Sequence, residues 1–316
     1  MSSALTNAPY RAHGKVILLG EHAVVYGVPA LAGALSSGAQ VQTQPGRGLL
    51  RISAWGVEVD PTRSDDDRSI AAAYRALRTA LGLDAYSPVD LALFFEVPTG
   101  AGLGSSAAMA VAIARALRAV HQLPIGDAGL VDAAMASETV IHGRPSGLDH
   151  TVAVYGGFGL FVRGKGLSPI HAAQPVPLVI GHTGRARDTK GRVARVAELC
   201  EQRSDETQAR FAAIAQLTER GRRAVESGQL GELGAAMSEN QRHLSALECS
   251  SPEIDQMCAI AHDAGAVGAK LTGGGGGGCV IALAPQQESS VREAWRKAGF
   301  DAFTTTVGGP LPEGVS

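Results

Sequence analysis

The chain has 316 residues, more than a single core usually needs, so two domains are the starting expectation. Hydrophobic residues make up 45% and charged residues 18%, which excludes a disordered chain, and a net charge of −2 excludes bulk attraction to nucleic acid or to an acidic membrane. Aromatic residues, at 4%, are too few for a base-stacking platform, and no run reaches the ~20 apolar residues of a membrane span. The opening "MSSALTNAPYRAHGK" lacks the apolar stretch of a secretory signal. Cys200, Cys249, Cys258 and Cys279 form no CxxC pair, so reduced, mostly buried thiols and a cytoplasmic location are expected.

In chain order, Val16 to Leu19 reads as a buried strand. "AQVQTQP" and "GLLRISAWGVEVD" alternate as strands around "GRG", and "DDDRSIAAAYRALRTALGL" is helical, with an acidic start and Gly82 near its end. "VDLALFFEVP" is a strand that delivers the chain to "PTGAGLGSS", and a helix starts at Ser105. A second helix, "AGLVDAAMASETVIH", stops where Gly143 and Pro145 break it, and "HTVAVYGGFGLFVRG" is expected to return to strand. "HAAQPVP", residues 171–177, is the candidate junction between domains 1–173 and 174–316. Beyond it come strand "LVIGHTG" and helices through "GRVARVAELCEQ", "SDETQARFAAIAQLTERGRRAVES" and "LGELGAAMSENQRHLSAL". Another helix has Ser251 as N-cap and Pro252 at its first position. Strands "VGAKL" and "CVIALA" flank a hexaglycine turn at 273–278, and helix "QQESSVREAWRKAG" and strand "AFTTTV" close an α+β chain.

Four stretches carry chemistry. Gly100, Gly102 and Gly104 let backbone approach a ligand closely, and the helix start at Ser105 offers free N–H groups and a positive dipole end to a phosphate. Ser105 and Ser106 can cap that helix or give an oxygen to a metal ion. The stretch follows neither the Walker A pattern nor G-x-G-x-x-G. In "SETVIHGRPSGLDH", Glu138 on a helix and Asp149 after a glycine–proline turn could divide metal binding from base catalysis. His142 and His150 have no zinc spacing. In "HGKVILLGEHAVVYG", Lys15 opens a strand, and Glu21 and His22 interrupt an apolar run. The hexaglycine turn suggests another backbone passing close by.

Together, "GKVILLGEHAVVYGVPAL", "PTGAGLGSSAA" and "KLTGGGGGGCVIAL" resemble the three ordered motifs of the GHMP small-molecule kinases, named for galacto-, homoserine, mevalonate and phosphomevalonate kinases. "GEHAVVYG", "HGRPSGLD", "RDTKGRV" and "NQRHLSALECSSPEID" are most similar to the mevalonate kinase branch. The resemblance spans about residues 12–285. It implies an N-terminal domain like domain 2 of ribosomal protein S5, a ferredoxin-like C-terminal domain, an active site between them and often a homodimer. It implies MgATP-dependent phosphorylation of the C5 hydroxyl of mevalonate, a step of isoprenoid precursor synthesis.

Carried over by position, Pro98, Gly100, Ala101, Gly102, Leu103, Gly104, Ser105, Ser106 and Ala107 would hold the ATP phosphates. Ser106 and Glu138 would bind Mg²⁺. Asp149 would accept the hydroxyl proton, and Lys15 would keep that aspartate ionised and stabilise charge on the transferring group. Glu21, His22, Asp149 and Thr189 would face the acceptor. Three positions depart from the family pattern: His13 stands where Pro is usual, His150 where Asn is usual, and Gly274 where Ala is common, which is expected to loosen the third motif. A phosphomevalonate kinase would need extra cations at the acceptor, and Arg144, Arg185 and Arg187 are the candidates. A non-catalytic nucleotide-binding regulator should have lost Lys15, Ser106, Glu138 or Asp149, and all four are present.

Overall fold

The computed structural model describes residues 8–309, apart from 85 and 144. Among these residues, eleven strands form one connected sheet. Its hub is β2 (Ala30–Pro45), which pairs antiparallel with β1 (Tyr10–Leu19), β5 (Val89–Phe95), β6 (Phe158–Val162) and β11 (Asp301–Val307). Beyond β5 lie β3 (Leu50–Ile52) and β4 (Val57–Val59), and β7 (Gly166–Ile170) pairs with β6. On the other side, β11 leads to β8 (Val176–His182), β10 (Cys279–Leu283) and β9 (Gly268–Thr272). Gly33 makes the central crossing possible, since a Cβ there would lie 2.2 Å from Val307 Cγ1.

Among the described residues there are nine α-helices, of which four cover the first half: α1 (Ser69–Ala80), α2 (Ser105–Val120), α3 (Asp127–His142) and α4 (Leu148–Tyr155). α2 is buried from Ala107 through Leu117, which is why its sequence is apolar all round and rich in alanine, whose small side chain lets it lie close on β1 and β2. Five helices belong to the second half: α5 (Thr189–Gln202), α6 (Ser204–Ser227), α7 (Leu230–Ala246), α8 (Pro252–Asp263) and α9 (Glu288–Lys297). Ser251 caps α8 as expected, accepting from the Ile254 amide at 3.4 Å. The buried Trp295 joins α9 to α8 by donating to Met257 O at 2.8 Å. A shared apolar cluster takes Leu18, Leu31 and Leu35 from the first half and Leu178, Leu233 and Ile281 from the second.

The structure corrects several expectations. Residues 150–155 are helix rather than strand: Gly147, with φ 92, opens α4, and Leu148, Val152 and Ala153 are buried. Alternation over so short a stretch cannot separate a strand from two turns of buried helix. Neither Ser105 nor Ser106 caps α2, because Gly104, with φ 72, occupies the cap position. The acidic residues before α1 lie outside it, and Asp66 instead pairs with Arg68. Within the stretch 171–177, Val176 and Pro177 already belong to β8, and β7 ends just before it at Ile170.

Candidate active site

β5 runs into the loop at 98–104, where Gly100, Gly102 and Gly104 have φ of 74, 89 and 72. The loop is tied to β1 by the Lys15 amide, which donates to Leu103 O at 2.8 Å, and is anchored by the buried Ala101 and Leu103. Pro98 is exposed and Ala107 is buried, so these two frame the loop rather than line the cleft. Gly104 has to be small: a Cβ would sit 3.2 Å from Lys15 Cβ. Neither α2 nor α4 has a side chain at the cap position, and both begin on a left-handed glycine. Their N-terminal residues line the same cleft of about 270 Å³, so two positive helix ends meet there, with the first amide of α4, Leu148 N, donating to Ser146 Oγ at 3.3 Å.

The register of β1 on β2 slips between His13 and Lys15. A bulge of this kind re-aims the side chain that follows it. Lys15, 7% exposed, reaches Asp149 Oδ1 with its Nζ at 3.0 Å. Asp149, 37% exposed, stands in the first turn of α4, where the helix end favours a carboxylate. Ser106 Oγ donates to Glu138 Oε1, joining the start of α2 to α3, and His142 Nε2 lies 3.7 Å from Glu138 Oε2. Burial pushes the Glu138 carboxyl up, against the opposing pull of Ser106 and His142.

The cleft therefore gathers Gly100, Gly102, Gly104, Ser105, Ser106, Glu138 and Asp149 from the sequence expectation. It also takes in His142, Ser146, Gly147, His150 and Arg187. His150 is 1% exposed with neither ring nitrogen hydrogen-bonded within the protein, and burial pushes its pKa down. Of the candidate arginines, Arg187 reaches the cleft, with Nη1 3.2 Å from where a Gly102 Cβ would stand. Arg185 pairs instead with Glu253 at 2.8 Å, and Arg144 lies outside the described residues.

Lys15, Glu21, His22 and Thr189 are not among the residues that line this cleft, although Lys15 Nζ meets the lining Asp149. Glu21 is 1% exposed and bound to Lys270 and Asn240, while His22 Nε2 meets Gly274 O at 2.9 Å. Burial pushes the His22 pKa down. Thr189 opens α5 against the hexaglycine turn, and a Cβ on Gly274 would lie 2.3 Å from its Oγ1. Gly274 thus fits Thr189 tightly rather than loosening the turn. Lys270 and Asn240 escaped the sequence reading, although a lysine inside the apolar "VGAKL" is itself a signal, since a buried lysine needs a partner. Among the described residues, no group of three or more His, Cys, Asp or Glu is placed to hold a metal ion.

A glycine loop at a bare helix start, facing a lysine–aspartate pair, is equipment for moving a phosphoryl group. Residues 68–157 match the family described as GHMP kinases N terminal domain and residues 222–301 match GHMP kinases C terminal. The chain belongs to the GHMP kinase family, whose members use ATP. A mevalonate kinase of Pyrococcus horikoshii is 34% identical, with 96% of this chain and 95% of that protein covered. One of Aeropyrum pernix is also 34% identical, with 94% of each covered. The crystal structure of L. major mevalonate kinase in complex with R-mevalonate superposes with a TM-score of 0.84 at 28% identity, over 98% of this chain and 99% of that one. The α+β, two-domain kinase architecture expected from the sequence is the one found.

Proposed function

We propose that this chain transfers the γ-phosphoryl group of ATP to the C5 hydroxyl of mevalonate, in a cleft between halves 1–173 and 174–316. The observation that carries the mechanism is the Lys15–Asp149 pair, 3.0 Å apart beside two helix starts that open on glycine. Asp149 takes the hydroxyl proton as the C5 oxygen bonds to the γ-phosphorus, and the bond from that phosphorus to the bridging oxygen breaks to release ADP. Lys15 holds the base in place through the 3.0 Å ion pair and faces the charge that spreads over the transferring group. The amides of the 100–104 loop and of the α2 start hold the phosphates.

Ser106 and Glu138 suit Mg²⁺: a buried carboxylate and a hydroxyl share one corner of the cleft, and no closed cage of protein ligands surrounds them among the described residues. A magnesium ion takes few protein ligands and fills the rest with water and phosphate oxygens. When bound, it supplies positive charge to the phosphates.

Apart from Lys15, which is paired with Asp149, Arg187 is the one lysine or arginine at the cleft among the described residues, which suits an acceptor with a single acidic group better than one already phosphorylated. The four cysteines are all free, in keeping with a reducing compartment such as the cytoplasm. Acceptor-dependent ADP release with MgATP tests the reading against mevalonate, phosphomevalonate, galactose and homoserine. Turnover selective for mevalonate is expected, and preference for phosphomevalonate would overturn the acceptor assignment.

A further inference from the structure

The turn after β1 holds unusual backbone outside the cleft. Gly20 has φ 98, and a Cβ on it would lie 2.6 Å from Pro29 O. His22 follows with φ 60 and ψ −50, and the Ala23 amide donates to Glu21 O at 2.6 Å. That is a γ-turn of the rare, strained kind, which a residue other than glycine keeps only where its surroundings over-determine it.

Here the surroundings belong to the other half of the chain. Lys270 of β9, fully buried, is ion-paired with Glu21 Oε1 and donates to Leu271 O at 2.6 Å. Asn240 of α7 donates to Glu21 Oε2 at 3.2 Å. Both Glu21 oxygens are thereby engaged within the protein, and His22 holds Gly274 O on the hexaglycine turn. Thr272 strengthens the same seam by accepting from Ile17 N at 3.1 Å and donating to Ile17 O at 3.0 Å. Burial pushes the Glu21 carboxyl up and the Lys270 ammonium down, and the attraction between them opposes both.

We infer that Glu21, Lys270 and Asn240 form a clasp that positions the strand carrying Lys15 against the hexaglycine turn, so that Glu21 acts as a positioning residue and not as a contact to the acceptor. The path to the chemistry is short on both sides. Lys15 lies on β1, directly upstream of the turn. The hexaglycine turn holds the segment that bears Arg187, through Gly278 N to Arg185 O at 2.9 Å and Asp188 N to Gly275 O at 3.2 Å. The inference rests on the kinase reading above.

The test compares the full-length wild type with Glu21→Gln, Lys270→Met and the double variant, in steady-state kinetics with MgATP and mevalonate and in thermal unfolding. Each single variant leaves a buried charge or an unmatched amide and is expected to unfold at a lower temperature. The double variant removes both charges at similar volume. It is expected to unfold near the wild-type temperature, with kcat lower by about 10-fold or more and acceptor KM within about 3-fold.

Wild-type kcat in a stable double variant would overturn the clasp, and so would a large rise in acceptor KM with kcat kept. Asn240→Ala is the milder probe should the double variant not fold: kcat falls several-fold at constant acceptor KM if the clasp positions, and stays unchanged if it does not. A wild-type chain silent on mevalonate would instead overturn the kinase reading itself.

Discussion

Glu138 keeps a carboxylate where the protein gives it little help. It is 5% exposed, its nearest partners are a serine hydroxyl and a histidine at 3.7 Å, and burial pushes its pKa up. A carboxyl whose pKa is raised on folding holds its proton more tightly in the native state. The native state therefore loses stability as pH rises from the unfolded pKa through the folded one, and stays less stable at neutral pH. Glu138→Gln keeps the bond from Ser106 and removes that charge. It should raise Tm at pH 7 by about 2 °C, the shift that about 1 kcal/mol gives a chain of this size, with the gain vanishing in acid. The same variant should lose most of its magnesium-dependent turnover. Unfolding scans from acid to neutral pH decide it: a Tm at pH 7 equal to or below wild type contradicts this account of Glu138. Sites that trade stability for function in this way are hard to see in sequence, where Glu138 looks like any helix residue until Ser106 is placed beside it.

The elements place these residues through glycine. α2 and α4 each open on a left-handed glycine with no side chain at the cap position, so both helices point their positive ends at one cleft. At Gly147 the space is open, the nearest atom to an added Cβ being Met135 Cε at 3.9 Å, so the constraint lies in the backbone alone, at φ 92. Gly147→Ala should cost about 1–2 kcal/mol from that conformation. Because the position lies two residues before Asp149, kcat should fall about 10-fold or more. Thermal unfolding and kinetics together check this, and wild-type kcat would show that Asp149 does not depend on the helix start. The phosphate loop was legible because its glycines, serines and apolar helix sit within one stretch. α4 was not, since "HTVAVY" has the β-branched look of a strand and only its burial on α2 and α3 settles it as helix.

At the scale of the whole molecule, the two halves meet through a continuous sheet, a shared core and the clasp. β11, from a stretch with no readable motif, lies between β2 and β8 and so closes the sheet at its centre. The local motifs were readable because each packs its chemistry into a dozen residues. The pairing of Glu21 with Lys270 spans 249 positions and with Asn240 spans 219, so the lysine inside "VGAKL" signals the need for a partner while nothing local says which one. The same holds for Arg187, which the sequence offers as one of several loop charges and only the fold turns toward Gly102.

Direct transfer to the C5 oxygen with Asp149 as base is read out by NMR of the product made from mevalonate labelled with ¹³C at C5. With MgATP and wild-type protein, the C5 resonance should shift and split by coupling to phosphorus. Asp149→Asn, at equal concentration and with MgATP binding intact, should form that product about 10²–10⁴-fold more slowly. Phosphorus attached elsewhere on the acceptor, or undiminished transfer by Asp149→Asn, would contradict it.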